Sequence, residues 1–131
     1  MRKTILTMLL VFVSSNAIAE WVGIDVAHDE TYIVYADPDT ILREGNKVKM
    51  WTLSDYKTVP ELSDVSPFLS LKLQREFDCK KKRIRILYTA HHAENMGEGE
   101  TVSSNTYPGD WEPVAPDSIG EALLKLACKK R

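Results

Sequence analysis

Only two cysteines and three histidines occur in the 131 residues, and that scarcity removes most metal chemistry at the outset. A zinc or iron–sulfur site gathers three or four ligands, commonly at spacings such as C-x₂-C or H-x₃-H. Neither spacing is present. His91 and His92 are adjacent, so on a strand or at its end they point to opposite sides and do not readily chelate one ion. Glu94 is near them in sequence and His28 stands apart. There is no Gly-x-Ser-x-Gly and no His-Glu-x-x-His, which removes the common hydrolase and metalloprotease signatures. Met96-Gly97-Glu98-Gly99-Glu100 has glycine spacing but two glutamates and no lysine; it would repel a phosphate and reads as a turn. Asp25, Asp29 and Glu30 are close in sequence, but such acidic groupings recur by chance in an acidic chain. An excess of positive charge is lacking too. Lys and Arg total 17 against 19 Asp and Glu, for a formal charge of −2, the wrong balance for a nucleic-acid binder.

The first 19 residues stand apart from the rest. Arg2 and Lys3 form a basic start, Ile5 to Val13 an apolar stretch, and Ala17-Ile18-Ala19 a small-residue cleavage site. This is the pattern of a secretory signal peptide, cleaved before Glu20. Its apolar run is too short to span a bilayer as a helix, and no transmembrane segment is predicted in the mature chain. No cysteine follows the cleavage point, so nothing predicts lipid attachment. Losing Arg2 and Lys3 leaves the mature chain, residues 20–131, more acidic still. Its length fits one domain with a modest core. The predicted compartment is the periplasm or the cell surface.

The organising stretch is Leu69 to Cys79. Its odd positions read Leu69, Leu71, Leu73, Arg75, Phe77 and Cys79, and its even positions Ser70, Lys72, Gln74, Glu76 and Asp78. Period-two alternation, with Arg75 the single exception, predicts a strand with one buried and one wet face. Arg83 to Ala90 is its hairpin partner, with Ile84, Ile86, Tyr88 and Ala90 on one face. Pairing positions that sum to 161 sets Phe77 opposite Ile84, Glu76 opposite Arg85, and Asp78 opposite Arg83, which matches apolar with apolar and acid with base. The lysine-rich turn between them lacks Asn-Gly chemistry and predicts a bulge there.

Upstream, Trp21 to Ala27 and Thr31 to Asp37 read as strands joined at His28-Asp29-Glu30. Asp37-Pro38-Asp39 should end the second, leaving one helical turn over Thr40 to Arg43. Lys47 to Asp55 is a further strand, residues 57–67 a loop, and Glu100 to Thr106 a last strand. Ser118-x-x-Glu121 is a capping box. It opens an amphipathic helix whose Ile119, Ala122, Leu123, Leu126 and Ala127 recur at helical spacing. The predicted fold class is α+β: an antiparallel sheet of about six strands with a C-terminal α-helix packed on one face.

Two cysteines in an exported chain most simply form one disulfide. A Cys79–Cys128 bond would tether the helix to the sheet and close a loop of about 50 residues, worth on the order of 4 kcal/mol. Phe77, Ile84, Leu73 and Leu123 should then share one core. The bond would also gather Lys80, Lys81, Lys82, Arg83 and Arg85 with Lys129, Lys130 and Arg131 at one pole. That basic pole, against an otherwise acidic surface, is the candidate site for an anionic partner: a glycan, a lipid or an acidic protein surface. Trp51 lies in the row opposite Val48 and Met50, so a second sheet face carries apolar residues and could join two copies as a homodimer.

Three blocks carry a family resemblance: Tyr35-x-Asp37-Pro38, Gly45-Asn46-x-Val48-x-x-Trp51-x-Leu53-x-Asp55-Tyr56-Lys57, and Ser70-x-Lys72-x-x-x-Glu76-x-Asp78-Cys79. With Met96-Gly97-x-Gly99, Trp111-x-Pro113 and Cys128, the chain resembles the surface-adhesin protein E family over nearly its whole mature length. The resemblance implies an antiparallel sheet with a C-terminal helix held by a disulfide. It also implies an adhesive role, since the best-known member binds host matrix proteins such as vitronectin and laminin. No binding residue of the family maps onto a motif in this sequence. The reading is therefore a small exported, non-enzymatic binding domain without a cofactor. The alternative is a periplasmic metal-handling protein or enzyme using His28, His91 or His92.

Overall fold

The computed structural model describes residues 20–24, 31–61, 64–106 and 108–129. The predicted signal peptide (residues 1–19), Asp25, His28, Asp29, Glu30, Lys130 and Arg131 lie outside the described residues. In chain order the elements are β1 (Val22–Gly23), β2 (Tyr32–Glu44), β3 (Lys47–Tyr56), β4 (Ser70–Asp78), β5 (Arg83–His92), a 3₁₀ turn at Asn95–Gly97, β6 (Thr101–Thr106), β7 (Glu112–Pro113) and α1 (Ile119–Ala127). β1 to β6 follow one another across a single antiparallel sheet, and β7 pairs with the start of β5. The predicted α+β architecture is the one observed.

β4 occupies the middle of the sheet, and its pairing explains both faces. Asp78, Phe77 and Glu76 lie opposite Arg83, Ile84 and Arg85, the register in which apolar and charged pairs both match. The register then slips by one between Gln74 and Arg75, leaving Leu87 as the extra residue of a bulge. The bulge is in β5, not at the lysine turn. There Lys82 takes a left-handed conformation (φ 52°), while the Lys81 N–H donates to Asp78 Oδ1 at 3.0 Å. The bulge corrects the expected face of β5. Ile84 and Ile86 share a side with Phe77 and Arg75, whereas Tyr88 and Ala90 lie opposite Gln74 and Lys72 on the other side.

The helix covers the first face. Ser118 is its N-cap, accepting the Glu121 N–H at 3.1 Å, and Leu123, Leu124 and Ala127 are its buried residues. They pack with Val34, Ala36, Val48, Met50, Phe77 and Ile84 into one cluster. Leu73 is buried but lies outside that cluster. It pairs with Thr52 and Thr89, so polar neighbours separate it from the helix-facing residues. Cys79 and Cys128 are bonded, with Cα atoms 5.7 Å apart, which fixes the end of α1 against the end of β4.

The second face is not wet where the alternation predicted it. Glu76 and Asp78 are buried, because Arg85 and Arg83 lie over them at 2.6 and 3.0 Å. At the opposite end the 3₁₀ turn forms a cover. Ser70 Oγ donates to the Glu94 carbonyl at 2.6 Å and accepts the Gly97 N–H at 2.8 Å. Asp55 Oδ1 accepts from Asn95 Nδ2 at 3.0 Å and from the Met96 N–H at 2.8 Å. Leu53, Ser70 and Ala90 are buried at this end. Gly97 (φ 71°) approaches so closely that a Cβ there would meet Lys72 Cε at 2.5 Å. The glycine-rich segment is thus a turn, as its charge indicated.

β2 does not stop at Pro38. It runs on to Glu44, which corrects the expected helical turn at Thr40–Arg43. The ladder is interrupted only between Asp37 and Leu42. Across that gap the Thr40 hydroxyl donates to the Asp37 carbonyl at 2.7 Å and accepts the Trp51 N–H at 2.9 Å. One side chain replaces the missing backbone partner, so proline produces a bulge and the strand survives.

Candidate functional site

The disulfide brings the β4–β5 turn and the end of α1 together, and with them part of the predicted basic pole. Lys80, Lys81, Lys82 and Lys129 are exposed, and none of them takes part in an ion pair among the described residues. Arg83 and Arg85 differ. Besides holding Asp78 and Glu76, their guanidinium carbons sit 4.6 and 4.5 Å from the centre of the Trp111 ring. Trp111 precedes β7, whose pairing with Arg83 and Ile84 carries the indole over the two arginines. These two charges are therefore spent within the fold. Asp78 is held below its ordinary carboxylate pKa by the Lys81 N–H first, then by Arg83 and the charge of Lys47, against an opposing effect of burial.

Sequence reasoning missed one member of the pole. Arg43 Nη2 donates to the Lys129 carbonyl at 3.2 Å, because β2 extends past its proline and delivers Arg43 beside Val48. Its predicted place in a helical turn concealed this. The carbonyl at the end of α1 receives a cation where the helix dipole favours one.

The second face offers an aromatic surface between the two covers. Trp51 and Tyr88 meet edge to face with centroids 5.5 Å apart; the bulge at Leu87 is what places Tyr88 there. Beside them Trp21, Asp37, Thr40, Trp51 and Lys72 line a depression of about 220 Å³.

His91 and His92 point to opposite faces, as adjacency on a strand requires. His91 packs edge to face on Phe68 at 4.5 Å, and Nδ1 of each histidine is buried without a hydrogen-bond partner. Among the described residues no group of three or more His, Cys, Asp or Glu converges on one point. Burial lowers the pKa of His91, helped by the charge of His92. Burial also lowers that of His92, with Lys72 adding to it and a hydrogen bond to the Gly99 backbone opposing it. Both imidazoles therefore favour the neutral form, and the unfolded chain takes up protons first as pH falls. Stability is complete above the unfolded-state pKa of about 6.5 and declines below it until the folded-state values are passed. Urea unfolding at about pH 7.5 and about pH 5 checks this: a lower midpoint at the acid pH is expected, with a smaller drop in His91→Gln/His92→Gln. Equal midpoints in the unmutated protein reject it.

The model of the surface-adhesin protein E family matches residues 21–129. The chain belongs to this family. Its structure is similar to crystal form II of Haemophilus influenzae protein E, with TM-score 0.60 and 14% identity over 82% of this chain and 95% of that one. The selenomethionine form of Haemophilus influenzae protein E gives TM-score 0.57 at 13% identity over 82% and 93%. Protein E from non-typeable Haemophilus influenzae gives 0.53 at 15% over 82% and 83%. At these identities the likeness shows the shared fold, while the family match supplies membership. No curated protein sequence matches the chain. Within the surface-adhesin protein E fold, no described helix is long and apolar enough to cross a membrane.

Proposed function

We propose that this surface-adhesin protein E domain is exported, non-enzymatic, and binds a polyanionic glycan of the envelope or of a host through its basic pole. The observation that carries the reading is the cluster of exposed lysines at the disulfide, none in an ion pair among the described residues: Lys80, Lys81 and Lys82 on the turn and Lys129 after α1. Lysine heads on flexible stems suit sulfates or phosphates at variable spacing better than one fixed bidentate partner. Arg43 adds to the pole, while Arg83 and Arg85 support its base. Lys130 and Arg131 continue it in sequence. The overall acidic charge elsewhere would orient such a partner toward this end.

Heparin chromatography tests the reading. The oxidised protein is expected to be retained at low salt and released at moderate salt, as attraction between exposed charges is screened. Lys80→Ala/Lys81→Ala/Lys82→Ala should abolish retention with little change in the thermal midpoint, since these side chains are exposed. Flow-through of the unmutated protein sinks the proposal. A second reading is a homodimer across the aromatic face, favoured by the half-buried Trp51–Tyr88 pair and by Ile33, which is 39% exposed. Sedimentation of the same samples reports whether the retained species is one domain or two.

A further inference from the structure

Arg75 is the one residue that breaks the apolar row of β4. It lies between Met50 of β3 and Ile86 of β5, on the face that α1 covers. Nε donates to Thr52 Oγ1 at 2.9 Å. No carboxylate among the described residues forms an ion pair with it; the three ion pairs there are Arg83–Asp78, Arg85–Glu76 and Lys125–Glu121. Burial draws its pKa down while the Tyr32 phenol opposes this, yet a guanidinium stays charged at neutral pH. Arg75 is half-buried, and a partly desolvated charge without a counter-charge carries part of the cost that pairing ordinarily offsets. Thr52 accepts one hydrogen bond and neutralises nothing.

The same residue lines a cavity of about 380 Å³ between β5, the segment 109–115 and the start of α1. Ile84, Ile86 and Val114 form an apolar wall, and Ser118 and Gly120 bring the first turn of α1 to it. In that turn the Glu121 N–H is taken by Ser118 Oγ and the Ala122 N–H by the Ser118 carbonyl. Among the described residues the Ile119 and Gly120 amides make no hydrogen bond, as first-turn amides lack intrahelical partners. Asp110 and Glu112 also line the opening, and both are exposed. They disfavour a ligand with several negative charges and favour one whose far end is cationic.

We propose that this cavity binds an amino-acid-sized zwitterion, its carboxylate neutralising Arg75 near the first turn of α1, its apolar side chain on the isoleucine wall and its ammonium toward Asp110 and Glu112. The volume is at the small end for a ligand pocket, which suits one amino acid and excludes an oligosaccharide. The site is distinct from the basic pole, so failure of either reading leaves the other standing.

Calorimetric titration of the oxidised protein with L-leucine and with L-leucine methyl ester tests the proposal. The ester keeps the amine and the apolar body and lacks the anion. Saturable binding of leucine is expected, weakened at least roughly tenfold in the ester, the size of one charge-assisted hydrogen bond. Arg75→Met, which keeps a long apolar stem, should abolish leucine binding, with its thermal midpoint recorded to show that it folds. Absence of leucine binding, equal binding of the ester, or unchanged binding by folded Arg75→Met overturns the proposal. The ester comparison uses the unmutated protein and so decides the matter even if the variant does not fold.

Discussion

Replacing Cys79 and Cys128 with alanine should lower the unfolding free energy by about 4 kcal/mol, the chain-entropy value for a closed loop of this length. The two cysteines are 49 residues apart, and the loop they close contains β5, β6, β7 and α1. Cutting the link lets the unfolded chain expand and removes the covalent tether at the end of α1. A domain of this size commonly has about 5–15 kcal/mol in total, so the variant should unfold at much lower urea, with a larger m-value because its unfolded state is less compact. The same variant carries a functional consequence. The end of α1 is then held by the packing of Ala127 in the core cluster and by the exposed Arg43 bond to the Lys129 carbonyl, and heparin retention should fall even with every lysine present. Urea titration of oxidised protein and double variant side by side measures the first effect. A midpoint unchanged by the substitution would mean that packing of α1 alone fixes the fold.

Much of this architecture was readable because two periodicities agree with one covalent link. Alternation along β4 identified Phe77 as a core residue, and charge matching specified the register at Arg83, Ile84 and Arg85. The capping box specified where α1 begins. What escaped was every feature set by an interruption. The bulge at Leu87 has no local signature, yet it transfers Tyr88 from the helix face to the aromatic face. Pro38 read as a terminator because its local cost is plain, while the compensation by Thr40 depends on a bond to Trp51 across the sheet. The burial of Glu76 and Asp78 likewise depends on Arg83, Arg85 and Trp111 assembling from two distant segments. Arg75 is the instructive case. It was visible as the one exception in an apolar row, and the cavity beside it supplies a physical reason for the exception. His91 and His92 were correctly separated by adjacency, but their burial follows from Phe68 and from the cover over the second face.

Phe77→Ala should be as damaging as loss of the disulfide, at about 3–5 kcal/mol. Phe77 has no solvent exposure. It sits between Val48 and Ile84 in the ladder and belongs to the cluster that takes Leu123, Leu124 and Ala127 of α1. Alanine removes the ring that joins strand to helix and leaves a void that a bonded, tethered helix cannot close fully. Phe77→Leu retains most of the volume and should cost much less, within the roughly 1.5 kcal/mol typical of volume-conserving swaps. Gln74→Ala, on the other face of the same strand, is half-buried and has no side-chain hydrogen bond among the described residues; it should stay within about 0.5 kcal/mol, as substitutions outside cores, caps and bonded networks do. The ordering of the three variants tests the assignment of faces, because a strand displaced by one residue would exchange the roles of even and odd positions. The substitutions belong in the oxidised protein: Phe77 and Cys79 lie under the same helix, so their losses should not add independently. Chemical denaturation of the three variants should rank Phe77→Ala far below Phe77→Leu, with Gln74→Ala indistinguishable from the parent; a Gln74 cost equal to that of Phe77 would refute the assigned face.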